Sequence, residues 1–104
     1  MPFCPVGYAL NVLAGKWKLQ TVYAISQAGT VRFNELQRSL PGISNLMLSK
    51  TLKELEENGI VKRVQYNEVP PHVEYSLSEI GKGIIPAFDK LGEWGSALHE
   101  QLLK

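Results

Sequence analysis

The chain is short of the features that mark several whole classes of protein. It has one cysteine, Cys4, so no disulfide can close within it, and a reducing cytoplasm is the expected setting. No stretch reads as a membrane span: the uncharged segment from Leu19 to Val31 is too short and too polar to cross a bilayer. The opening Met-Pro-Phe-Cys has neither the basic flank nor the apolar run of a signal peptide. The two histidines, His72 and His99, stand apart from each other and from Cys4, without the spacing of metal ligands. No serine, cysteine or carboxylate pair falls in a catalytic context, and the GKG at 81–83 is too short for a phosphate-binding loop. An enzyme, a metal site and a cofactor are therefore not expected. Repeats, low-complexity tracts and linkers are also missing.

What is present fits one soluble globular domain spanning residues 1–104, with 44% hydrophobic and 20% charged residues. The net charge is only +1, but it is unevenly spread. Between positions 32 and 63, Arg32, Arg38, Lys50, Lys53, Lys62 and Arg63 outnumber Glu35, Glu54, Glu56 and Glu57. Lys16 and Lys18 add to the first third, whereas residues 64–104 are net acidic. That asymmetry gives mild support to a surface that meets phosphates.

Hydrophobic spacing gives the order of elements. Cys4-Pro5 opens a short helix to about Leu13, with proline suited to a first turn. After Gly15, KWKLQTVYAIS predicts a second helix with Trp17, Val22 and Ile25 inward, closed by Gly29. RFNELQRSL places Phe33, Leu36 and Leu40 on one face, and Pro41-Gly42 stops it. Ser44 is a good cap for a further helix with Leu48, Leu52 and Leu55 inward and Asn45, Ser49, Lys50 and Lys53 outward. Asn58-Gly59 ends it. From Ile60 the period changes to that of strands: IVKRVQY and HVEYSL form a hairpin whose tip, 67–71, is stiffened by Pro70 and Pro71. From Ser78-Glu79 to Lys104 runs a last helical segment, which Pro86 should kink or divide. Two helices across a glycine turn, followed at once by a hairpin, describe a winged helix-turn-helix: helix-turn-helix at about 33–58, wing at about 60–77, terminal helix at about 79–104.

Several spaced blocks carry a family resemblance: CPVGYAL, GKWK at 15–18, RFNELQRSLPGIS at 32–44, LKELEENGIVKR at 52–63, YNEVPPHVEYSLSEIGKGIIP at 66–86, and EWG at 93–95. Together they resemble the HxlR-type winged helix-turn-helix transcriptional regulators of bacteria, related to MarR-like winged helices. The resemblance implies a homodimer, joined through terminal helices, that binds palindromic operator DNA. It also implies a role for Cys4, since the cysteine of an N-terminal Cys-Pro pair reacts with oxidants or electrophiles in some members. One departure stands out: where the family tends to carry a polar or basic pair after the GIS turn, this chain has Asn45-Leu46.

A recognition helix enters the major groove by its N-terminal residues, which makes Ser44, Asn45, Ser49 and Lys50 the expected base readers. Asn45 suits adenine and Lys50 suits guanine. Lys53, Arg32 and Asn34 are expected on backbone phosphates, and Lys62, Arg63 and His72 reach from the wing. Leu46 can touch only a thymine methyl or weaken binding. Independently of the resemblance, Phe88, Leu91, Trp94, Leu98 and Leu102 form a stripe with nothing left to cover it, as do Tyr8, Leu10 and Val12. A two-fold dimer would bury both. Cys4 sits just before a helix, where the dipole favours thiolate. A small-molecule inducer near Tyr8, Trp17 or Trp94 is a further expectation, and a winged helix used only as a protein–protein interaction module is the alternative.

Overall fold

A computed structural model describes residues 3–103. Nine elements follow one another: α1 (Pro5–Val12), α2 (Lys18–Ala28), β1 (Thr30–Arg32), α3 (Phe33–Arg38), α4 (Asn45–Glu57), β2 (Val61–Tyr66), β3 (His72–Leu77), α5 (Glu79–Lys82) and α6 (Ile85–Leu102). The order is that of a winged helix: mainly helical, with a small antiparallel sheet. The core gathers Val22 and Ile25 of α2, Leu36 and Leu40 of the α3 region, Leu48, Leu52 and Leu55 of α4, and Val31, Val61 and Leu77 of the sheet.

Local chemistry sets the boundaries. Cys4 caps α1, its sulfur accepting from the Gly7 amide at 3.4 Å, and Pro5 takes the first turn. Gly29, Gly42 and Gly59 all have positive φ, as the ends of α2 and α4 and the turn between α3 and α4 require. Ser44 caps α4 by accepting from the Met47 amide at 3.0 Å. Trp17, expected as a core residue, is half-buried: its ring edge lies 3.9 Å from where a Cβ on Gly42 would be. It therefore packs the loop before α2 against the turn that leads into α4.

Two boundaries differ from the sequence expectation, and a third settles a choice it left open. The sheet has three strands in the order β1-β3-β2, because Thr30, Val31 and Arg32 pair with Ser76, Tyr75 and Glu74. Three residues are too few to show an alternating pattern, so this strand is invisible in the sequence. The helix expected through Leu40 stops at Arg38, three residues before Pro41, where the backbone is already turning. The terminal segment is divided rather than kinked: α5 ends at Lys82, and Pro86 falls in the first turn of α6, where its missing N–H costs nothing. Lys104, included in that expected helix, lies outside the described residues.

The break is held in place from the other side. Ser78 donates its hydroxyl to the Gly59 and Ile60 carbonyls at 2.6 and 3.1 Å and accepts from the Gly81 amide at 3.0 Å. Its own amide donates to the Ile60 carbonyl at 2.9 Å. Gly81 is buried so tightly over this junction that a Cβ there would collide with the Ile60 carbonyl oxygen. The glycine is thus needed for close approach between α5 and the chain leaving α4.

Phe88 corrects a further expectation. It is 8% exposed, edge-on to Tyr23 at 5.1 Å between ring centroids, so α2 already covers it within one chain. The rest of the stripe is open: Leu91, Trp94, Leu98 and Leu102 of α6 are exposed, as are Tyr8 and Leu10 of α1, which buries no residue at all. Val12 is half-covered.

Gly81→Ala should lower stability by about 1–3 kcal/mol, a drop in Tm of roughly 5–20 °C, because backbone rather than a flexible side chain must yield. A thermal melt checks it; an unchanged Tm would contradict the close-approach account.

Candidate nucleic-acid interface

The buried stripe of α4 fixes how the helix is rotated. Leu48, Thr51, Leu52 and Leu55 face the core, so the opposite side turns to solvent. There Leu46, Lys50, Lys53 and Glu57 follow one another at i, i+4, i+7 and i+11 and form a single exposed ridge. Asn45 and Ser49, one turn apart, make a second exposed row beside it. Ser44 precedes both, its hydroxyl oxygen engaged by the Met47 amide. The helix thus brings five of the expected residues together around its N-terminal half and places Leu46 among them.

Electrostatics sharpen this face. Lys18, at the start of α2, pairs with Glu54 of α4 at 3.0 Å. Its hydrogen bond holds the Glu54 carboxyl below the ordinary glutamate value, against the opposing pull of desolvation, with the charges of Lys18 and Lys50 acting in the same direction as the bond. Glu54 therefore stays ionised, paired mainly with Lys18 and only weakly with Lys50. Beside the pair lies a groove of about 410 Å³ in which Lys16, Trp17 and Met47 meet Lys50. The Lys16 ammonium rests 4.8 Å from the Trp17 ring centroid. Sequence reasoning left Lys16 out of the site. Its signal was the pair of lysines flanking Trp17, but only the fold sets that loop against α4.

Arg32 and Asn34 are exposed at the start of α3, where the Arg32 amide donates to Glu35 at 3.1 Å. The wing is less uniform than expected. Lys62 and Arg63 are both exposed, yet successive strand residues point to opposite faces. Arg63 shares the side of buried Val61, and Lys62 shares the side of Val64 and Glu74. His72 has an acidic setting: its ring stacks on Tyr66 at 4.8 Å, with Nε2 3.1 Å from Glu74 and Nδ1 3.6 Å from Glu68.

The residues named for a small-molecule site also separate. Tyr8 lines an apolar cavity of about 490 Å³ with Val12, Ile60, Ile80 and Ile84, whereas Trp17 lies in the groove beside α4 and Trp94 on the outer reach of α6. Cys4 is exposed. None of the described helices is long and apolar enough to cross a membrane.

Comparison with known proteins agrees with this geometry. The family model described as HxlR-like helix-turn-helix matches residues 12–102. An uncharacterized HTH-type transcriptional regulator of Methanothermobacter thermautotrophicus is 48% identical over 92 residues, covering 88% of this chain and 70% of that protein. The solved structure of the redox regulator HypR in its reduced form superposes with a TM-score of 0.86 at 43% identity, covering 95% of this chain and 97% of that one. The reduced form of the transcriptional regulator YodB from B. subtilis gives a TM-score of 0.77 at 34% identity, covering 89% and 91%. With the winged helix, the exposed recognition face and these matches in agreement, the chain belongs to the HxlR-like helix-turn-helix family of transcriptional regulators.

Proposed function

We propose that the protein binds a two-fold operator DNA as a homodimer, with one α4 in each of two successive major grooves. The observation that carries this reading is the ridge on α4. Polar and basic side chains short enough to approach base edges stand opposite a fully buried stripe, at the helix end that enters a groove. Asn45, Ser49 and Lys50 serve as base readers, and Arg32, Asn34, Lys53 and Lys62 contact the backbone. Ser44 fixes the start of the helix and keeps its hydroxyl proton available for a base or phosphate. Arg63 lies on the other face of the wing from Lys62 and is the weaker candidate of the two.

The exposed apolar residues of α1 and α6 support dimerisation. Leu91, Trp94 and Leu98 recur on one side of a helix whose outer turns no other element covers, and Tyr8 and Leu10 add a second patch. A self-complementary pairing through these helices would remove both from water. The cavity beneath Tyr8 supports a further reading, an apolar effector seated between α1 and α5.

Cys4 is proposed as the switch. It is exposed at the start of α1, its sulfur faces the Gly7 amide, and HypR, a relative of the same fold, is described as a redox regulator. Modification there would disturb the cap of a helix that we place in the dimer interface.

Two outcomes are expected. On an in vitro-selected palindrome, two chains bind per duplex, and affinity falls on the order of 10³-fold between 50 and 200 mM salt, as about six neutralised phosphates require. A flat salt dependence, or one chain per duplex, would contradict the reading. Treatment with a quinone or hydroperoxide should change operator affinity of the wild type and leave Cys4→Ser unaffected. An identical response in both proteins would remove Cys4 from the mechanism.

A further inference from the structure

Leu46 is the anomaly on the recognition face. It is 81% exposed, the second residue of α4, and heads the ridge that continues through Lys50 and Lys53. Nothing among the described residues covers it. Met47, the other partly exposed apolar residue in that turn, lines the groove beside Trp17 instead. A leucine held in water, one turn from Lys50 and flanked by Asn45, contributes nothing to the fold, whose core lies on the opposite side of the helix.

We infer that Leu46 is a specificity-determining residue that packs against the C5-methyl of a thymine in each operator half-site. The inference rests on the proposed DNA-binding role of α4. Leucine has no donor or acceptor, so it cannot read the edges of adenine, guanine or cytosine. The thymine methyl is the one apolar feature that unmodified B-DNA presents in the major groove. Seating Leu46 against any other base would strip water from polar edge atoms and return no hydrogen bond. The residue therefore acts in both directions: it favours thymine at one step and penalises the other bases there. Asn45 and Lys50, on either side, would hydrogen-bond the neighbouring base pairs and fix the register that brings the methyl to Leu46.

The test removes the methyl alone. Each thymine of an in vitro-selected operator is replaced in turn by deoxyuridine, and affinity is measured for the wild type and for Leu46→Ala. Because Leu46 is solvated, its truncation leaves the fold intact, which a thermal melt verifies. One symmetry-related thymine per half-site should weaken wild-type binding about fourfold when its methyl is lost, the fold-change of one buried methyl group. The same replacement should leave Leu46→Ala indifferent. If no deoxyuridine weakens the wild type, or if Leu46→Ala suffers the same penalty, the inference fails while DNA binding stands. Dissociation of the free dimer by Leu46→Ala would also overturn it, by moving Leu46 to a protein interface. Failure of the selection to enrich any sequence would overturn the DNA-binding reading and this inference together.

Discussion

The DNA-binding reading of this molecule depends on the burial of one face of α4. Leu48, Leu52 and Leu55 sit in the core formed with Val22 and Ile25 of α2, and each contributes roughly 1.5–3 kcal/mol by leaving water. Because the helix has 3.6 residues per turn, fixing that face also fixes the opposite one. Asn45, Leu46, Ser49, Lys50 and Lys53 are displayed outward as a consequence of what their neighbours bury. The surrounding devices keep the helix there: the Ser44 cap, the Trp17 ring against the Gly42 turn, and the Lys18–Glu54 pair.

The same constraint shapes the electrostatics. With so small a net charge, the molecule cannot attract DNA as a uniformly basic body. Lys18 answers Glu54, and Lys16 lines one groove with Lys50, so this side of α4 is more basic than the whole chain. On the wing the balance runs the other way. His72 is drawn between Glu68 and Glu74, and only Lys62 and Arg32 remain as basic side chains on that face. The proposed discrimination between sites therefore rests on Asn45, Leu46, Ser49 and Lys50 of α4.

Much of this was legible in the sequence, for identifiable reasons. The periods of α3, α4 and the hairpin were strong, and Pro41-Gly42, Asn58-Gly59 and Pro86 punctuate the chain where the backbone turns. The rest depended on neighbours that no local pattern reveals. Strand β1 is three residues long and is defined by its pairing with β3. Phe88 reads as part of an uncovered stripe until Tyr23 is found against it. His72 reads as a free wing residue until two glutamates close on it. Lys16 reads as loop, and Gly81 as a short glycine motif, until the fold sets one beside Lys50 and the other on the Ile60 carbonyl.

Presentation of two copies of α4 to DNA as a two-fold pair can be read by hydroxyl-radical footprinting on a selected palindrome. Two protected segments of equal strength are expected, about one helical turn apart and symmetric about the centre of the site. A single protected segment, or protection without that symmetry, would contradict it.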